Sequence, residues 1–294
     1  MKLTAIMVPY LRLIRIPNGF TAIADSWAGY IIHTGMDGVS YVTLIYLALA
    51  SFCLYSAGII LNDLHDQPVD SQCNPNRPLP SGVINRTQAI ALMTFLMTIA
   101  GVVCFALGLI PLIIGFFLGI SIFMYDIVFK KSRSAPLWMG ACRMFNMMLG
   151  MSAATVRFYA HPYIIIPILL LVYVLLLSLA ATRENDRRKG SFFCFGLILW
   201  IILTYGLSYF FEMVTKNIGS FYLGVWIVIG GFIFIYQRLN DSVKAYRMMI
   251  VFFIFSIPAV DAIFTAGIQG NGAGLLILAS LIPTIILAPY FSAH

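Results

Sequence analysis

Asn62-Asp63-Leu64-His65-Asp66-Gln67-Pro68-Val69-Asp70 closes one apolar segment and concentrates acid in a chain that has little of it. Only 11 of 294 residues are Asp or Glu, yet three fall within eight positions here. On a helix, Asp63, Asp66 and Asp70 stand at i, i+3 and i+7, which places them along one face. Carboxylate oxygens on one face suit Mg²⁺, a cation usually held by one or two carboxylates together with phosphate oxygens and water. A few residues on, Asn76-Arg77-Pro78-Leu79-Pro80-Ser81-Gly82 sets a cation in a rigid turn. Carboxylates for a metal beside an arginine for phosphate read as a diphosphate site at a membrane surface.

The surrounding chain is 61% hydrophobic and 10% charged, with a mean hydropathy of +0.94. A soluble domain is about a quarter charged, so this composition describes an all-α polytopic membrane protein. Apolar runs of about 20 residues fall at 19–33 (extended backward by the N-terminal segment), 41–61, 88–109, 110–128, 136–156, 162–182, 192–211, 219–236, 248–267 and 273–290, nine to ten spans that are expected to surround a central cavity. The N-terminus and the even-numbered connections hold 15 of the 18 Lys and Arg residues; the odd-numbered ones hold only Arg157 and Lys216, and Arg143 lies inside a span. That asymmetry places the N-terminus and both aspartate-rich loops in the cytoplasm, at an inner or plasma membrane. The net charge of +7 is thus a topology signal, with anionic lipid rather than nucleic acid as its partner. No cleaved leader is expected, since Lys2, Arg12 and Arg15 lead into a full apolar span without a small-residue cleavage site. Five scattered cysteines show neither metal spacing nor a disulfide framework. Residues 1–294 read as one domain, with Leu109-Ile110-Pro111 expected to form a tight external hairpin.

Asn62, Asp63, Asp66 and Asp70 followed by Arg77-Pro78-Leu79-Pro80-Ser81-Gly82 resemble, residue by residue, the first signature of the UbiA superfamily of intramembrane prenyltransferases. Arg15-Ile16-Pro17-Asn18 entering the first span, and Tyr125-Asp126 with Lys130 closing the fourth, resemble it too. The resemblance implies two aspartate-rich motifs that hold Mg²⁺ and a prenyl diphosphate, a lateral tunnel for the prenyl chain, and a lipophilic or aromatic acceptor. The family's second motif corresponds to Thr182-Arg183-Glu184-Asn185-Asp186 with Gly190 four residues on. Asp186 and Gly190 match, Thr182 replaces the first aspartate, and Glu184 is the carboxylate available to replace it. The connection from Asp70 to Arg77 is shorter than in the quinone-pathway enzymes.

Physical chemistry assigns roles beside the resemblance. Diphosphate leaves only when its developing charge is neutralised, by metal bound to carboxylates and by cationic side chains. Asp63, Asp66, Asp70, Glu184 and Asp186 are the expected metal ligands. Arg77, Lys130, Arg183 and Arg187 are expected at the phosphates, with Asn18, Asn62 and Tyr125 as further substrate contacts. Arg143 and Asn146, at i and i+3 inside the fifth span, should face a wet cavity, because a cation at that depth costs about 2.5–3.5 kcal/mol otherwise. They read as acceptor or phosphate contacts, or as a structural pair with Asp25 or Asp126. Asp261, deep in the ninth span, reads as protonated or helix-bonded. Besides transfer to an acceptor, the sequence leaves open a cyclase or diphosphate-processing enzyme that needs no second substrate. More remote are a transporter, disfavoured because the acids collect at span ends, and an inactive scaffold.

Overall fold

Each apolar run folds as helix, and the polar or glycine positions between runs end the helices. The computed structural model describes residues 2–291; Met1 and residues 292–294 lie outside the described residues. Thirteen α-helices follow in order: α1 Lys2–Leu13, α2 Ile16–Thr34, α3 Tyr41–Cys73, α4 Arg86–Leu107, α5 Leu109–Phe123, α6 Ala135–Ala154, α7 Ile165–Ala181, α8 Arg187–Phe210, α9 Asn217–Leu239, α10 Val243–Phe255, α11 Ile257–Gln269, α12 Asn271–Ala279 and α13 Leu281–Phe291. A π-helical turn, Met124–Val128, prolongs α5, and no strand occurs among the described residues. Among the described residues, seven helical stretches are long and apolar enough to cross a membrane. Neither α2 nor α6 is in that set; these two carry the interior polar residues Asp25, Arg143 and Asn146.

The expected hairpin at 109–111 lies one residue earlier. Gly108 makes the turn at φ 133, its N–H bonded to the Cys104 and Phe105 carbonyls, and Leu109 already starts α5. Pro111 therefore sits in a first helical turn, where its missing N–H costs no bond.

Close approach of α2 and α6 positions the interior polar groups. A Cβ on Gly29 would overlap the Met147 carbonyl, and one on Gly150 the Ser26 carbonyl. Small residues let membrane helices touch backbone to backbone, where packing rather than water exclusion drives association. A second device fixes the end bearing the first motif. Leu13 of α1, Leu64 of α3 and Leu79 and Ile84 of the following loop share one buried cluster. Leu79, 2% exposed, anchors the Arg77–Gly82 loop, which closes with Ser81 N–H on Arg77 O and Gly82 in the left-handed region at φ 74. Burying a leucine at an aqueous end contributes roughly 1.5–3 kcal/mol.

Candidate active site

The first motif is helical throughout: α3 runs past the apolar segment to Cys73, so Asp63, Asp66 and Asp70 stand on a helix and not on a loop. Pro68 lies inside this extension, and the Leu64 carbonyl it leaves free is approached by Arg86 Nη1 at 3.5 Å. Helical spacing gives the three carboxylates one face, and each meets a cation from a different part of the chain. Arg15 donates to Asp63 Oδ1 at 2.9 Å, Lys130 to Asp66 Oδ2 at 2.6 Å, and Arg77 to Asp70 Oδ2 at 2.6 Å. Lys130 also donates to Asn62 Oδ1 at 2.7 Å, and Asn74 to Asp70 Oδ1 at 2.9 Å. The ion pairs use Asp63 Oδ1 and Asp66 Oδ2, which leaves Asp63 Oδ2 and Asp66 Oδ1 outside them.

Arg15 reaches Asp63 from a strained position. It links α1 to α2 in the left-handed region, at φ 47 and ψ 54, a conformation that costs a non-glycine residue about 1–2 kcal/mol. Sequence reading placed Arg15 in a motif without giving it a site role. The π-helical turn carries Tyr125 and buried Asp126. Asp126 lies close to Lys130, Asp66 and Asp63, so a fourth carboxylate joins the group.

Below the motif, a cavity of about 120 Å³ is bounded by Tyr55 and Gly58 of α3, Tyr125 and Asp126 of the π turn, and Cys142, Arg143 and Asn146 of α6. Asn18 borders it through the Tyr55 side chain. Arg143 pairs with Asp25 at 3.1 Å and also donates to the carbonyl and hydroxyl of Thr21, each at 3.1 Å. Asn146 donates to Asp25 Oδ2 at 3.0 Å and to Ala22 O, and accepts from Ser51 at 2.8 Å. Of the open readings for Arg143, the structure shows the pair with Asp25, made on the cavity wall. The carboxyls of Asp25 and Asp261 lie against each other. Asp25 Oδ1 and both Asp261 oxygens are buried without a hydrogen-bond partner among the described residues.

The second motif occupies the α7–α8 connection and the start of α8, and its partners come from α8, the α9–α10 connection and α10, not from the first motif. Glu184 receives Arg247 at 2.7 Å, Asp186 receives Lys189 at 2.8 Å, and Arg187 bonds Asp241 at 2.8 Å. Asp186 caps α8 by accepting the Lys189 backbone N–H, and this residue's N–H groups hold the Asp186 carboxyl below the usual carboxylate range. Arg183 makes no ion pair among the described residues. Gly190 has a packing role: a Cβ there would strike the Tyr246 hydroxyl, which donates to Ala180 O at 2.6 Å. No three His, Cys, Asp or Glu side chains among the described residues converge closely enough to hold a metal ion by themselves.

The sequence model of the UbiA prenyltransferase family matches residues 26–257. The chain belongs to that family. Its curated relatives include digeranylgeranylglyceryl phosphate synthase of Sulfolobus acidocaldarius, 34% identical over 118 residues, which cover 40% of this chain and 41% of the relative. Another is 4-hydroxybenzoate octaprenyltransferase of Blochmanniella pennsylvanica, 33% identical over 107 residues, 34% of this chain and 36% of the relative. The chain thus spans less than half the length of the curated relatives it matches. Likeness of fold reaches further than likeness of sequence. A digeranylgeranylglyceryl phosphate synthase structure superposes with a TM-score of 0.69 at 19% identity, over 91% of this chain and all of the other. A UbiA homolog from Archaeoglobus fulgidus, bound to GPP and Mg²⁺, does so with a TM-score of 0.63 at 16% identity, over 92% of this chain and 99% of the other. At these identities the likeness shows the UbiA fold.

Proposed function

We propose that this UbiA-family protein is a Mg²⁺-dependent enzyme that transfers a prenyl group from a prenyl diphosphate to a lipophilic acceptor inside the membrane. The observation that carries the reading is the alternation of Asp63, Asp66 and Asp70 with Arg15, Lys130 and Arg77 at the mouth of the cavity. A site that must hold both a divalent cation and an anionic diphosphate needs both signs of charge within one reach. The donor set fits Mg²⁺: all its ligating atoms are oxygens, and Asp63 and Asp66 each keep one oxygen outside their ion pairs. When bound, Mg²⁺ supplies neutralisation of the charge that develops on the leaving diphosphate.

The side chains do the rest. Arg15, Arg77 and Lys130 exchange their carboxylate partners for phosphate oxygens, with Asn62 orienting Lys130. Tyr55 and Tyr125 give the cavity an aromatic wall that shields an allylic cation from water and stabilises it. Arg143 and Asn146 sit at the inner end, where the acceptor approaches. Glu184 and Asp186, with Arg183 and Arg187, serve as the second diphosphate-facing motif once the substrate draws the α7–α8 connection inward. The whole chain, 1–294, acts as one domain of nine to ten spans, with its N-terminus and both acidic motifs on the cytoplasmic side.

The reading is tested by incubating purified protein with Mg²⁺, labelled prenyl diphosphates of graded length and a lipid extract, and identifying products by mass spectrometry. Prenylated lipid formed only with Mg²⁺ supports it. Diphosphate release that proceeds equally well without any acceptor replaces it with a cyclase or hydrolase.

A further inference from the structure

Away from the cavity, α8 and α9 enclose a second groove of about 480 Å³, lined by Arg188, Ser191, Phe192 and Phe195 of α8 and by Phe234 and Arg238 of α9. Its order follows from helical spacing. Arg188, Phe192 and Phe195 stand at i, i+4 and i+7 near the start of α8, and Phe234 and Arg238 at i and i+4 near the end of α9. Because these consecutive helices run in opposite directions, both guanidinia lie at one end of the groove and the rings lie deeper. Phe195 and Phe234 face each other across it, with ring centroids 6.1 Å apart. Ser191 donates to Gln237 Oε1 at 2.7 Å, a buried bond that pins the two helices together at the level of the arginines.

Asp241, held by Arg187, lies within Coulombic reach of Arg188 and Arg238 but forms an ion pair with neither. Neighbouring Arg187, Lys189 and Arg247 are taken by Asp241, Asp186 and Glu184. Arg188 and Arg238 make no ion pair among the described residues, and both are exposed. Phe192 and Phe195 are 71% and 46% exposed on the same surface. Two guanidinia that make no ion pair, above an aromatic channel, match a phosphate joined to a hydrocarbon chain, since arginine forks pair with phosphate oxygens and rings pack on acyl tails. A basic pocket between membrane helices is the chemistry that takes an anionic lipid headgroup.

We infer that the α8–α9 groove is a binding site for an anionic glycerophospholipid, with Arg188 and Arg238 on its phosphate and Phe192, Phe195 and Phe234 along one acyl chain. The site is separate from the diphosphate cavity and holds whether or not the transferase reading does. The test titrates the purified full chain in neutral detergent with phosphatidylglycerol, phosphatidylcholine or inorganic phosphate, and counts adducts by native mass spectrometry. With each arginine contributing about a factor of five, Arg188→Gln/Arg238→Gln should weaken the tightest phosphatidylglycerol adduct by about 25-fold. Lys131→Gln/Arg133→Gln, which removes the same charge elsewhere, should leave that adduct within twofold of wild type, and Phe195→Ala should shorten its lifetime. Equal weakening by both double variants, equal occupancy by phosphatidylcholine, or displacement by millimolar inorganic phosphate would each overturn the inference.

Discussion

Replacing Arg143 by Met should destabilise the protein far more than its position on a cavity wall suggests. Asp25 is fully buried and the Arg143 side chain is 12% exposed. Without Arg143, Asp25 Oδ2 keeps only Asn146 at 3.0 Å, while Oδ1 has no hydrogen-bond partner among the described residues. Removing one partner of a buried ion pair costs about 3–5 kcal/mol, because the other charge stays behind uncompensated. At about 1.4 kcal/mol per factor of ten, the lower figure lowers the folded-to-unfolded ratio more than a hundredfold. Asp25→Leu alone strands the guanidinium in the same way. In Arg143→Met/Asp25→Leu both members of the ion pair are gone, so the double variant should be more stable than the two single losses summed, by about 2–3 kcal/mol. The assay is reversible unfolding by SDS in mixed micelles, followed by circular dichroism across the four-protein cycle. Additivity to within about 0.5 kcal/mol would refute the coupling, and with it the placement of Arg143 against Asp25. Kinetics on the folded fraction then isolate any acceptor contact: a raised acceptor KM with unchanged diphosphate affinity assigns one to Arg143.

Asp63→Asn and Asp66→Asn should each lower product formation by about two orders of magnitude or more while the protein stays monodisperse in detergent. Near-normal turnover by either removes that residue from the metal site. Glu184→Gln should weaken Mg²⁺-dependent diphosphate binding and Thr182→Asp should leave it intact or tighten it, as isothermal titration will show; a wild-type Glu184→Gln beside an inactive Asp186→Asn assigns the second motif to Asp186 alone. Gly190→Ala should push the Tyr246 hydroxyl off the Ala180 carbonyl and lower stability by about 1–3 kcal/mol. Adding Tyr246→Phe should recover part of that loss in a melting experiment, and no recovery would mean the contact is not the cause.

What the sequence discloses here is local. The i, i+3, i+7 carboxylates and the Arg77-Pro78 turn are adjacent along the chain, so residue type and spacing suffice to find them. Partners contributed from afar leave no such trace. Asp25 and Arg143 are 118 residues apart and meet only because Gly29 and Gly150 let α2 and α6 touch. Their helices look less like membrane spans for the same reason that they matter, since the polar side chains lower hydropathy. Arg15 reaches Asp63 across 48 residues through a left-handed linkage that no propensity favours. Tyr55 sits in an apolar run, where an aromatic reads as packing. Residues 124–128 gave no signal for a π turn, although Asp126 there joins the first motif to the cavity. Pro111 suggested a turn where the chain only begins a helix, and Gly108 beside it is the residue whose φ requires one.

The central claim, that the first motif holds Mg²⁺ and a diphosphate together, is tested most directly by binding. The measurement is the affinity of a non-ionisable prenyl thiodiphosphate for the purified protein, with Mg²⁺ and with EDTA, for wild type and for Asp63→Asn/Asp66→Asn. Wild type should bind tightly in a Mg²⁺-dependent way, and the variant should bind weakly and not respond to the metal. Binding that is equally strong in EDTA, or a variant whose Mg²⁺ dependence equals that of wild type, would contradict it.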